Sequence, residues 1–224
     1  MKKEQKNKKL KKTLRYIFSA IGICISSLGV SFLLFAQLGS GPFDAFNFYM
    51  SEIYQSTSFL KFLDVGNTVV FHSTLITFLI VAIRRKIKYF IYLIPGALFG
   101  FVLNFWMVLL ENLPSSEVLR WCLAPLGVIT LALGITVGAL SNAMMSPYDG
   151  FGWLIHDYII KNMSVARFLL EGFFFLLALL LCMAFNDYSQ IGIFTFVIVG
   201  VLGFIVKFMI KYLSKLRFFK FINE

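Results

Sequence analysis

The sequence predicts an all-α membrane protein of about six transmembrane helices, arranged as two inverted three-helix repeats that each carry a short broken or amphipathic helix. Three observations predict it. The 224 residues are 59% apolar and only 14% charged, with a mean hydropathy of +0.82, whereas a soluble domain needs roughly 25% charged residues to cover its surface. Six apolar stretches are each long enough, at 1.5 Å per residue, to cross a hydrocarbon core of about 30 Å. One stretch of the first half recurs in the second at a constant offset.

The chain opens with a basic tail, residues 1–15, holding Lys2, Lys3, Lys6, Lys8, Lys9, Lys11, Lys12 and Arg15. A basic block abutting an apolar run is a topology determinant that sits against anionic headgroups. The net charge of +10 therefore does not point to nucleic acid, since no basic face combines with stacking aromatics. The first span, Tyr16–Ala36, is too long for the apolar core of a signal peptide, and more spans follow it. The others are Gly66–Ile83, Tyr89–Leu110, Trp121–Met145, Arg167–Phe185 and Ile191–Met209. Runs this apolar must satisfy their backbone polar groups internally, which makes them helices. With both termini in the cytoplasm, nineteen of the 21 basic residues fall on the cytoplasmic side and only Lys61 and Arg120 face outward. Residues 16–111 and 112–209 form two membrane repeats, and residues 210–224 are a second basic tail.

At an offset of 105, Gly22 meets Gly127, Leu28 meets Leu133 and Gly29 meets Gly134; Pro42 meets Pro147, Asp44 meets Asp149 and Phe46 meets Phe151. Gln37 faces the similar Asn142, and at an offset of 100 Gly100 meets Gly200. Each half has three spans, an odd number, so the halves are expected to enter the membrane in opposite directions about a two-fold axis in its plane. Gly134 and Gly138, with Gly22, Gly29 and Gly127, are small residues that let helices approach closely within the monomer.

Two segments are too short and polar to span: Pro42–Gln55 and Pro147–Asn162. Proline suits a first helical turn, where its missing N–H has no partner to lose. Ser146 with Asp149 has the form of a capping box, with Asp in place of Glu; the matching cap in the first half is Gly41. Both segments read as amphipathic or half-membrane helices, one near each face. For Asp44 and Asp149 two readings stand. They cap and favour the helix dipole, for about 0.5–2 kcal/mol each, or they line a polar pathway and bind a cation or proton.

Ionisable groups within spans are expensive and are candidates for function. His72 and Glu171 are such groups, at nearly equivalent places in the two halves, and Arg167 stands one turn from Glu171, within pairing reach. Asn67, Ser73, Thr74 and Thr77 make a polar stripe around His72, and Asn104 adds a buried amide. Cys24, Cys122 and Cys182 lie in apolar runs without Cys-x-x-Cys spacing and read as small buried hydrophobes. No phosphate-binding loop, metal-spaced Cys/His cluster or Gly-x-Ser-x-Gly is present, so no enzyme activity, cofactor or metal is expected.

Gly39-Ser-Gly-Pro-Phe-Asp44, its echo Met145-Ser-Pro-Tyr-Asp149, and Gly66 and Arg167 together resemble the YczE/YyaS/YitT family of bacterial integral membrane proteins, over about Ala20 to Lys207. The second copy departs from the family pattern in having Ser146 before Pro147 without a preceding Gly. The resemblance implies a bacterial inner-membrane location and, since some members are grouped with exporters, a transport role. It carries over no functional residues. The expected function is a secondary transporter or permease for a small solute. Gln37, Pro42, Asp44, Asn142, Pro147 and Asp149 would flank its pathway with Asn104, and His72 and Glu171 would bind substrate or a coupling ion. The alternative is a non-transporting accessory or regulatory protein with a membrane-protein partner, or the substrate-binding subunit of a larger transporter. The lipid bilayer is the partner in either case.

Overall fold

The computed structural model describes residues 2–114 and 116–223; the side chains of Lys2, Lys3, Glu4, Gln5, Lys6, Lys8, Arg217, Ile222 and Asn223 lie outside what it describes. The described residues are helical throughout: α1 (Lys2–Ala36), α2 (Pro42–Ser56), α3 (Val65–Arg84), a 3-10 turn (Ile87–Tyr92) leading into α4 (Leu93–Glu111), α5 (Glu117–Ser141), α6 (Pro147–Tyr158), α7 (Met163–Phe185), α8 (Ile193–Leu213) and α9 (Arg217–Asn223). Six stretches are long and apolar enough to cross a membrane: Lys9–Ala36, Val65–Arg84, Ile87–Glu111, Glu117–Ser141, Met163–Phe185 and Ile193–Leu213. The fourth ends four residues earlier than the apolar run, because Asn142 turns left-handed (φ 48°) and stops the helix. Likewise α6 ends at Tyr158, short of the expected Asn162, whose side chain instead caps the start of α7 by accepting from Ser164 and Val165 N–H.

Polar side chains begin four of the helices. Asp64 caps α3, Ser116 α5, Ser146 α6 and Asn162 α7, each satisfying an N–H that has no partner inside the helix. At the far end of α1, Arg120 donates to the carbonyls of Ala36 (2.6 Å) and Gln37 (3.1 Å), placing a cation on the negative end of the helix.

The core is the crossing of α1 and α5, which run antiparallel. A Cβ added at Gly22 would meet Gly134 O at 2.9 Å and Gly138 N at 2.6 Å, and one added at Gly29 would meet Gly127 O at 2.8 Å. At Gly134 it would strike the backbone of Ser26, and at Gly127 the side chain of Leu33 at 2.9 Å. Backbones this close leave no room for side chains, which is how apolar helices gain packing energy without a hydrophobic drive between them. Gly138 differs from the other four: its own Cβ position meets nothing within 4 Å, and only its backbone is approached. Ser26, Ser27 and Ser31 beside the crossing are buried and donate to carbonyls of α1 itself, namely Gly22 (2.8 Å), Cys24 (2.9 Å) and Ser27 (2.8 Å), so their hydroxyls cost little there. Of the three cysteines, all free, only Cys182 is buried; Cys24 is half-buried and Cys122 lies exposed on α5.

The connections alternate between two faces: the one where α1 begins (the N-terminal face) and the opposite one. α4 packs antiparallel to α3, with Gly100 against Gly66 and Gly96 against Ser73. The short helices α2 and α6 do not span. Phe43, in the first turn of α2, touches Phe174, the twelfth of the 23 residues of α7, with ring centroids 4.9 Å apart. Tyr148, in the first turn of α6, touches the same ring at 5.8 Å. Both helices thus start at mid-height and run to opposite faces: the Tyr49 hydroxyl of α2 donates to Asp187 O, just past the far end of α7, and Asp157 of α6 pairs with Arg84 at the N-terminal-face end of α3.

Substituting leucine for Gly29 should displace α5 by several ångström or unfold the protein, since core overpacking costs about 1–3 kcal/mol even where side chains yield and here only backbone faces it. Gly138→Ala should leave the melting temperature unchanged or raise it, through about 0.5–1 kcal/mol of helix propensity. Thermal melts of both variants in detergent, followed by size exclusion, check this; equal losses would show that the crossing does not depend on the missing side chains.

Candidate functional site

Two half-helices that begin in the middle of the molecule bring Phe43 and Tyr148 into ring contact at 4.9 Å, interplanar angle 35°. Phe174 stacks edge-on to Phe43, and Phe46 lies 5.5 Å from Phe174. Around this aromatic cluster stand three carboxyls and one guanidinium. Asp149 accepts from its cap Ser146 (Oγ to Oδ2, 2.8 Å) and from Arg167 (3.0 Å). The Ser146 hydroxyl in turn accepts from Asp149 N–H at 3.0 Å, so the expected capping box closes on the serine hydroxyl rather than on its backbone. Asp44 lacks such a cap: its Oδ2 folds back over Gly41, 2.8 Å from where a Cβ would stand. Glu171, half-buried one turn before Phe174, acts electrostatically on Asp44 and faces the buried Tyr148 hydroxyl.

Arg167 therefore pairs with Asp149 across two helices and not with Glu171 along its own. The reason is reach: the start of α6 lies against the first turns of α7, and Asp149 already points out of its helix as the third residue. The side chains of Arg167 and Asp149 are 50% and 40% exposed, so the pair itself adds at most about 1 kcal/mol. Two half-helix starts carry about +0.5 charge each, which Asp44 and Asp149 offset. Glu171 and Arg167 cancel, so with every group ionised about one net negative charge remains at the centre, where Asp44 and Glu171 are like charges that act on each other.

His72 does not join this cluster. Its ring stacks on Phe46 at 5.1 Å, Nδ1 bonds Asn47 Oδ1 at 2.8 Å and Nε2 bonds the Tyr54 hydroxyl at 3.0 Å, so it ties α3 to α2. Asn104 lies away from the centre: it accepts from Gly66 N–H (2.7 Å) and donates to Asp64 (2.6 Å) at the opposite face. Gln37 and Asn142 are exposed left-handed caps (φ 53° and 48°) closing α1 and α5; they mark the two ends of the molecule and do not meet. Pro42 and Pro147 are buried at the first positions of α2 and α6.

Sequence reasoning missed the knot that positions the first break. Gly39 (φ 110°) crosses Gly192 so closely that a Cβ would meet Gly192 N and Thr195 Oγ1, both at 2.8 Å. Ser40 N–H donates to Gln190 O, and the buried Gln190 reaches Leu34 O through Nε2. Gln190 has no counterpart in the repeat and sits in an unpatterned loop, so nothing in the sequence signalled it. Asn47 and Tyr54 were equally silent.

The family model for a family of unknown function, DUF6198, matches residues 13–211. The chain belongs to this family. It is also 24% identical to the uncharacterized protein YyaS of Bacillus subtilis (strain 168) over 169 residues, which cover 75% of this chain and 81% of that one. This accords with the resemblance read from the Pro-aromatic-Asp motifs of this DUF6198 member. No solved structure matches the chain.

At the N-terminal face, His156 and Arg84 hold the Asp157 carboxyl below the usual carboxylate range. A depressed carboxyl contributes stability above its unfolded value near 3.9 and loses it as pH falls further. Acidification through pH 4 should thus loosen α6 from α3, and Asp157→Asn should remove that dependence in an acid titration of the melt. Separately, His72→Phe keeps an aromatic ring but drops two hydrogen bonds, leaving Asn47 Oδ1 without its partner; a loss of about 1–3 kcal/mol is expected, and an unchanged melting temperature would contradict the tie between α2 and α3.

Proposed function

We propose that this protein is a secondary transporter or permease for a small solute in the bacterial inner membrane, built as an inverted repeat with both termini cytoplasmic. The observation that carries the reading is the meeting of two half-helix starts at mid-height around Asp44, Asp149 and Glu171. Discontinuous helices whose ends converge at the midplane are how such proteins form a central site between rocking halves.

The contacts support the repeat. Exchanging the halves by 105 residues turns the contact Gly22–Gly134 into Gly29–Gly127, Gly29–Leu131 into Ser26–Gly134, and Gly22–Gly138 into Leu33–Gly127, and all six are present. Phe43 and Tyr148 are exchange partners of each other, so their contact lies on the axis. Among the described residues, the four non-glycine positions of positive φ follow exchanged helices: Gln37 and Asn142, 105 apart, follow α1 and α5, and Arg85 and Asn186, 101 apart, follow α3 and α7. Since α1 and α5 are antiparallel, the exchange reverses helix direction, which requires an axis perpendicular to the helices. The distribution of 21 basic residues supports the orientation.

Single cysteines at Asp44 and Asp149, in a background free of Cys24, Cys122 and Cys182, test the reading in right-side-out and inverted vesicles. The cysteine at Asp149 should react with a charged thiol reagent from the cytoplasmic side, and a stabilising solute found by thermal shift should slow that reaction. If neither position reacts from either side, there is no aqueous route to the centre and the proposal fails.

A further inference from the structure

The main helix pairs come as exchange partners. The pair α1–α4 answers α5–α8, α2–α7 answers α6–α3, and α2–α3 answers α6–α7. The large departure is that α3 packs along α4 while α7 does not pack along α8; the slighter contacts α1–α2 and α4–α6 also have no counterpart of the same extent. The first seam is tight through its length, with Gly96 on Ser73 and Gly100 on Gly66, and it is tied at the opposite face. There Asn104 accepts from Gly66 N–H at 2.7 Å and donates to Asp64 at 2.6 Å, while Asp64 also caps α3 through Asn67 N–H at 2.9 Å.

The second seam has its short connection at the opposite face, where Gly192 rests on Gly39, and Phe175 and Phe196 touch at 6.1 Å. From there the helices part. The buried residues of α8 are Thr195 and Ile198, both in its first two turns, and Gly172, Gly200 and Gly203 each face open space. Only 11% of the apolar window of α8 is buried, against 28% for its counterpart containing α4. The exposed Arg167–Asp149 pair lies on the splayed, N-terminal-face side.

We infer that the α3–α4 and α7–α8 seams are alternating gates to the central site, and that Asp64, Asn104 and Gly66 form the latch holding the opposite-face gate shut. The inference rests on the inverted-repeat transporter reading. An in-plane two-fold converts a seam splayed toward one face into one splayed toward the other, so the same fold with its halves exchanged closes α7 onto α8 and opens α3 from α4. The face that α8 leaves bare is the one its exchange partner α4 fills with α3; its occupant is α7 of the same chain. The latch is one-sided. At an offset of 100 the counterpart of Asn104 is Phe204, 74% exposed and without hydrogen-bonding atoms, so hydrogen bonds bias the protein toward the state seen here. Asn104 is a positioning residue of this gate.

Paired spin labels in a cysteine-free background, in lipid, test this: Phe71 with Val108 across α3–α4, and Phe168 with Phe208 across α7–α8. In the otherwise unaltered protein the first distance should be short and narrow, and the second longer. Asn104→Leu should create a population in which the first lengthens and the second shortens in equal proportion, and Asp64→Ser, which keeps the helix cap but cannot reach Asn104, a smaller shift of the same sign. Opening of α3–α4 without closure of α7–α8, or no change in folded Asn104→Leu, overturns the inference. So does an α7–α8 distance already as short as the other without any variant, or a cysteine at Gly200 that cross-links two copies efficiently, which would make the bare face a dimer contact. If the distances exchange but no solute moves in proteoliposomes, the gates stand and the transport reading falls.

Discussion

The backbone contact between α1 and α5 at Gly22, Gly29, Gly127 and Gly134 is the constraint from which the remaining geometry follows. In lipid, apolar side chains gain nothing by leaving tails for one another, so helices associate where their backbones can touch. Four glycines provide that at mid-span, and serines placed beside them satisfy their hydroxyls within α1. Because the two helices cross antiparallel, everything attached to their ends is carried to opposite faces: the break after α1 lies at one side, the break after α5 at the other.

Those breaks must then place polar backbone inside the protein, where an unsatisfied group costs several kcal/mol. The solutions differ between halves. The second break uses Ser146 and Asp149, a cap that closes on itself and recruits Arg167. The first has only Gly41 at the cap position and relies on a tertiary knot, with Gln190, Thr195 and Gly192 of the α7–α8 connection holding Ser40 and Gly39. The start of α2 is therefore positioned by the same loop from which α7 and α8 diverge.

The centre itself holds no strong ion pair. Asp149 and Arg167 are half exposed, and Asp44 has a like charge, Glu171, for its neighbour, which also faces the Tyr148 hydroxyl. Aromatic rings from four helical positions set the spacing of these groups, while the tight polar ties, His72 to Asn47 and Tyr54 and Asn104 to Asp64, lie to one side. Rigid ties around a loosely paired middle are the arrangement expected of a site that must change its occupant.

Much was determined by the sequence alone. Length and hydropathy set six spans, because the thickness of a bilayer leaves few alternatives, and the recurrence of Pro42 and Asp44 at Pro147 and Asp149 announced two half-helices, because a proline at a first turn and an acid at the third residue are local devices. Spacing also marked the packing glycines. Only tertiary structure decided which polar groups meet. Arg167 turned to Asp149 instead of Glu171, His72 to partners on α2, and Asn104 to Gly66 and Asp64 on α3's first turn and cap, since each choice depends on helix rotation and crossing, which side-chain periodicity in an almost wholly apolar helix does not specify. The unequal seams were equally illegible: the halves share their motif, and what separates them is whether two helices lie together or apart.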